Sequence, residues 1–198
     1  QVSGMNTGNI FDAAIGYIYF ILRQIPDWEN NAAMVYGMKD ALLVPVNTDG
    51  DIAVMVEYDQ YYPFQYWNAG ASWMLLPIFE FWQCFGNRKI PVTDRISHLY
   101  EKDYLDLERD ILYPLLKKQA NFWEQLCTPE YYIDINGKAC YKKGKKGLSD
   151  GEKYIIIPSY SPENKPKNYN SAITANAAMD ISAARDGLNM MIVMEKTL

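Results

Sequence analysis

Histidine is nearly absent from this chain of 198 residues, which has His98 alone. Ser-His-Asp chemistry needs an imidazole base beside its nucleophile, and one His in the polar stretch 93–103 reads instead as an exposed loop residue. Cysteine is scarce too. Cys84, Cys127 and Cys140 are odd in number and widely spaced, which suits neither a CxxC metal pair nor a disulfide framework. They read as buried thiols, with one bridge plus a spare as the alternative. No run reaches the roughly 18 uncharged apolar residues of a membrane helix. The nearest, 10–22, is interrupted by Asp12, and no basic region or cleavage site precedes it, so it is not read as a signal peptide. If the protein is exported its signal has been removed, and the expected location is then periplasmic or extracellular. No glycine-rich phosphate loop of either common spacing is present, and no organic cofactor is expected. A net charge of −5 gives no general attraction to nucleic acid or to anionic membranes, so neither is an expected partner.

What is present favours a packed fold. At 49% hydrophobic the chain can bury a core as one domain, 1–198. Its 5 Trp, 16 Tyr and 7 Phe exceed what such a core requires, and aromatic faces of this kind stack on the apolar side of sugar rings.

Apolar residues lie all round a helix over 9–24, which Pro26 is expected to stop, and a second helix follows over 29–39. The segment 41–46 is β-rich and ends in turn chemistry at Asn47-Thr48-Asp49-Gly50-Asp51. An aromatic loop, 58–67, leads to Asn68 as N-cap of a helix running through Phe85, with a kink at Pro77. The clearest helix spans 105–126. Its two apolar stripes, Leu107, Ile111, Leu115 and Phe122 beside Leu112, Leu116, Trp123 and Leu126, both need burial. Around 130–157 a β-hairpin turning at Asn136-Gly137 is inserted between helices, with the basic stretch 138–146 as its solvated end and a short strand over 154–157. From Ser171 to Met194 the chain returns to helix. Helix pairs joined by loops, without long alternating strands, make the fold mainly α and of α/α type.

The strongest chemical signal is Pro158-Ser159-Tyr160-Ser161-Pro162-Glu163-Asn164, in which two prolines fix the backbone around one carboxylate flanked by hydroxyls. Glycoside hydrolysis needs such an acid, aimed at the leaving oxygen, plus a second carboxylate that serves water or the anomeric carbon. The plainer reading is a Pro-stabilised surface turn. Asn47 to Asp51 also resembles a calcium loop, but Ile52 and Tyr58 stand where its glycine and its bidentate glutamate belong, so no metal site is assigned. Asp49 suits a sugar-hydroxyl acceptor, and Tyr61, Tyr62, Tyr66 and Trp67 suit a stacking wall, against their commoner use as core.

Tyr36-Gly37, Asn47-Thr48-Asp49, the Trp-rich 73–82, Tyr113-Pro114 with Leu116-Lys117 and Ala120-Asn121-Phe122, the loop 158–164, and Met179-Asp180 follow one another along the chain. In that order they resemble segments of the catalytic domain of glycoside hydrolase family 95, the inverting α-L-fucosidases and α-L-galactosidases. The resemblance spans about 14–191, and the Ser-Pro-Glu loop is its specific part. It implies an (α/α)6 barrel, of which this chain, at about 12 residues per helix plus connections, holds about half. The remainder would come from further chain or a partner. It implies Glu163 as general acid, oriented by Asn164 and Ser161, with Asn6 and Asn9 in the region of the family's water-positioning asparagines and the base aspartate beyond Leu198. Val46 stands where that family has a histidine. The implied substrate is an oligosaccharide or glycan carrying a terminal α-linked fucose- or galactose-class sugar. The alternatives are a carbohydrate-binding or scaffold protein that keeps the fold without turnover, and a related α/α-barrel enzyme of different specificity.

Overall fold

The computed structural model describes residues 2–55, 62–162 and 164–198. Among these the frame is helical, with five α-helices and two small antiparallel sheets. None of the helices is long and apolar enough to cross a membrane.

After the short α1 (Ser3–Thr7), α2 runs unbroken over Phe11–Tyr36 with Pro26 inside it, so the expected stop at Pro26 is corrected. A proline in a helix interior costs about 3 kcal/mol. Fully burying one large apolar side chain returns about 1.5–3 kcal/mol. Ile18, Ile21 and Leu22 are buried before the proline and Trp28 and Ala32 after it, so packing on both sides outweighs the lost bond. α2 ends at Gly37, whose φ of 69° lets its own N–H and that of Met38 reach the carbonyls of Ala33 and Ala32.

The β-rich segment 41–46 pairs with no strand among the described residues, which corrects its reading as one. α2 supplies its partners. Leu43 donates its N–H to the Trp28 carbonyl at 3.0 Å, and the Asn31 amide donates to the carbonyls of Leu43 at 3.2 Å and Ala53 at 2.7 Å. Asn31 also accepts the Met55 N–H at 2.8 Å, so one side chain bridges two extended segments.

α3 (Gly70–Phe85) contains Pro77, and Asn68 does not cap it; no side chain does. Between α3 and the next helix, β1 (Lys89–Pro91) pairs with β2 (Tyr104–Asp106), setting Ile90 against Leu105. The expected helix over 105–126 is therefore shorter: a π-helical turn over Leu107–Leu112 leads into α4 (Tyr113–Leu126). Asp106 ends the strand and begins the helix, accepting the Arg109 N–H at 2.9 Å while its own N–H goes to Asp110. Pro114 has no N–H for the residue 110 carbonyl and crowds it, which favours the wider turn before it. Both apolar stripes are buried as their pattern requires.

The hairpin excursion forms with β3 (Tyr131–Ile133) central between β4 (Ala139–Tyr141) and β5 (Lys153–Tyr154). Its turn is wider than two residues: the Asp134 carboxylate accepts the N–H groups of Asn136 and Lys138 and holds the whole bend. The strand expected over 154–157 stops at Tyr154. The basic stretch is not wholly solvated either, since Lys145 pairs with Glu152 at 2.7 Å and lies 4.3 Å from the Tyr132 ring centroid.

α5 covers Ala178–Thr197, so helix begins seven residues later than Ser171. The intervening residues are committed elsewhere. Thr174 bridges Ser159, and Asn176 exchanges backbone and side-chain bonds with Ile156. α5 packs on α4 and α3, where Ser72 Oγ accepts from Gln119 Nε2 at 3.0 Å and Trp123 Nε1 at 3.3 Å beside Gly187. The three cysteines are free thiols, and the reading of all as buried is corrected: Cys84 is exposed and the others are half-buried.

Candidate functional site

The segment 158–164 is pinned at its beginning and open at its end. The Ile157–Pro158 peptide is cis, and Ser159 and Tyr160 are both buried. Ser159 donates its hydroxyl to Asp180 Oδ2 at 2.6 Å and accepts the Ala177 N–H at 3.0 Å, while its backbone exchanges two bonds with Thr174. Asn68 reaches the same place from the start of α3, donating to the Pro158 carbonyl at 2.9 Å and to Asp180 Oδ2 at 3.2 Å. Its carbonyl accepts the Tyr36 hydroxyl at 2.8 Å, which ties in the end of α2. That use of the Asn68 side chain is why it is not spent on capping α3.

Asp180 is fully buried in the first turn of α5. Desolvation pushes its carboxyl up from 3.8 to about 6, against the lowering effect of bonds from Ser159, Asn68 and the Tyr160 N–H. Burial, and then the charge of Asp180, likewise raise the Tyr36 hydroxyl well above its ordinary value and the Cys127 thiol to about 11.

Beyond Tyr160 the chain turns outward. Ser161 is half-buried and Asn164 exposed, and the two are joined by the Asn164 N–H on the Ser161 carbonyl at 3.1 Å. The Asn164 amide donates to the Pro162 carbonyl at 3.2 Å and stands 3.5 Å from Ser161 Oγ. Ser161, Asn164, Lys165 and Thr174 line a small depression of about 260 Å³ against the N-terminal end of α5. Glu163, the proposed acid, lies outside the described residues.

Of the aromatic wall, Tyr61 lies outside the described residues, and Tyr62 is exposed and stacked on Phe64 at 5.8 Å. Phe64 in turn meets Tyr160 edge-on at 5.9 Å, so the aromatic loop does pack against the 158–164 segment. Tyr66 lies 6.2 Å from Tyr36, and Trp67 lies 5.9 Å from the half-exposed Trp73.

Among the described residues the remaining candidates share no bond with this cluster. Asn6 is buried on α1 and donates to the Pro77 carbonyl at 2.9 Å, a bond that seats α1 on α3. Asn9 is exposed at a positive φ of 53°. Asn47 and Asp49 are exposed in a loop held to α2 by Thr48 and Gln24 at 2.7 Å. The Asp49 carboxyl is lowered by the N–H groups of Asp51 and Ile52, each at 2.7 Å, so it closes its own turn. No three His, Cys, Asp or Glu side chains converge on a cation site among the described residues.

Sequence reading did not assign Ser159, Asn68, Tyr36 or Asp180 to the site. The available signal was a lone carboxylate in the alanine-rich stretch 172–184, where burial of an ionisable group calls for dedicated donors. No family model, no curated protein and no solved structure matches the chain.

Proposed function

We propose that the protein is a glycoside hydrolase that removes a terminal α-linked sugar, of the α-L-fucose or α-L-galactose class, from glycans with inversion. The observation that carries this reading is the form of the 158–164 segment: a beginning locked by Asp180 and Asn68, and an exposed turn of hydroxyl and amide groups around the sequence position of Glu163. Its likeness to the Ser-Pro-Glu loop of the family 95 enzymes supplies the sugar class and the wider (α/α)6 frame. Exposed and half-exposed aromatic rings, Tyr62 and Trp73 among them, offer faces for sugar stacking.

In this mechanism the Glu163 carboxyl gives its proton to the departing glycosidic oxygen as the bond to the anomeric carbon breaks. Ser161 and Asn164 orient the acid. Water attacks the opposite face and loses its proton to a second carboxylate, at the roughly 6.5–9.5 Å spacing of inverting pairs.

The test is an assay of the complete gene product and its Glu163→Gln variant on aryl α-L-fucoside, aryl α-L-galactoside and natural fucosylated oligosaccharides, with the product anomer followed by NMR. The expected result is an inverted product from the wild type and loss of turnover of the natural oligosaccharides in the variant. Full activity of Glu163→Gln removes Glu163 from the role. Glycan binding without turnover by the wild type replaces the reading with a non-catalytic carbohydrate-binding protein.

A further inference from the structure

We propose that Asp180 is a positioning residue: from the first turn of α5 its carboxylate clamps the backbone of 158–160 to the ends of α2, α3 and α5 and so sets the turn that follows. Its effect on turnover rests on the hydrolase reading above, but the clamp itself does not.

Two donors converge on one oxygen of this side chain, the Ser159 hydroxyl of the segment being held at 2.6 Å and the Asn68 amide at 3.2 Å. Each donor carries the restraint to another element. Ser159 also accepts the Ala177 N–H that opens α5, and Asn68 also holds the Pro158 carbonyl and the Tyr36 hydroxyl. Charge-assisted bonds of this kind are roughly twice as strong as neutral ones. Oδ1, by contrast, is buried with no hydrogen-bond partner among the described residues. A carboxylate retained in the interior with one bare oxygen is poor general glue, since burying an ion costs more than a well-packed apolar group of the same size. The arrangement makes sense as a device that selects one conformation of the segment: without the carboxylate, Ser159 Oγ and Asn68 Nδ2 lose a common acceptor together.

The amide groups of Thr174 and Ala177, which bond to the Ser159 carbonyl and hydroxyl, report the clamp directly, and the α4 interior around Leu116 and Phe122 reports global stability. In hydrogen exchange on the full chain at neutral pH, Asp180→Leu should speed exchange at Thr174 and Ala177 by about tenfold or more while α4 stays protected. Asp180→Asn, whose carbonyl can still accept at the Oδ2 position, should recover most of the protection. If Asp180→Leu does not fold, Ser159→Ala answers the same question, because it cuts the link between Asp180 and Ala177 and should speed the same amides. Unchanged protection at both amides overturns the proposal, and so does an equal loss across α4, which would make Asp180 a general stability residue. On a glycan that the wild type turns over, Asp180→Leu should lower kcat by about tenfold with KM nearly constant, and Asp180→Asn should restore it. A wild type that hydrolyses nothing but shows the exchange pattern refutes the hydrolase reading and leaves the clamp standing.

Discussion

A Cβ placed on Gly187 would stand 2.6 Å from the Oγ of Ser72, so α5 and α3 meet at a point where only hydrogen fits. Ser72 cannot turn away freely. Its hydroxyl accepts from Gln119 and Trp123, and leaving either buried donor without an acceptor costs about 1–3 kcal/mol.

Gly187→Ala should therefore destabilise the protein by about 1–3 kcal/mol through overpacking, despite a gain of about 1 kcal/mol in helix propensity. The check is the urea midpoint at constant slope. A midpoint that rises would mean that the three-helix crossing relaxes around the methyl group.

Asn31 stands in for a neighbouring strand, and Asn31→Leu should show it. The variant leaves the carbonyl of Ala53 and the N–H of Met55 without their partners in the fold. At about 1–3 kcal/mol for each buried group left unpaired, the expected loss is about 2–5 kcal/mol, read by equilibrium denaturation. A loss under about 0.5 kcal/mol would show that water serves these segments equally well.

The pH dependence of stability should carry the signature of Asp180. Its folded value, raised to about 6, lies above the ordinary 3.8, so over that interval the native state holds a proton that the unfolded chain has released. The ionised native form is the costly one, by about 3 kcal/mol from the size of the shift. Lowering the pH from 7 through about 6 toward 4 should thus stabilise the wild type relative to Asp180→Asn. The neighbouring ionisable groups that sense its charge, the Tyr36 hydroxyl on α2 and the Cys127 thiol after α4, are both raised and stay protonated throughout. Parallel stability curves for the two proteins would contradict this assignment.

Under the proposed hydrolysis, Asn164→Ala should lower kcat/KM on the natural oligosaccharide by about tenfold to a hundredfold while leaving the denaturation midpoint nearly unchanged. The separation follows from geometry, since the Asn164 side chain is exposed and, among the described residues, bonds within its own turn. Unaltered turnover would remove Asn164 from the orienting role.

Much of the helical frame was legible because periodicity is a local signal. The two stripes of α4 and the hairpin excursion follow from the spacing of apolar residues and from turn chemistry, and both stand in the structure. Errors gathered where a tertiary partner overrode a local rule. Pro26 reads as a stop, yet Leu22 and Trp28 are buried on either side of it and the helix continues. Asn68 reads as an N-cap, yet its amide is taken by Pro158 and Asp180. The site divides the same way: residues 158–164 stand out by their two prolines, whereas the side chains that secure them come from positions 32, 90 and 112 residues away from one another in pairs.

Composition and spacing by themselves determined that this chain folds around helices with a buried apolar core, and they singled out 158–164 by its two prolines. Those features depend on residues close in sequence. Only the tertiary structure decided that Asp180, marked in the sequence by nothing but the Met179-Asp180 match, is the acceptor on which Ser159 and Asn68 meet. Which donors reach a buried carboxylate is settled by how α2, α3 and α5 pack together, and no local pattern encodes that distance.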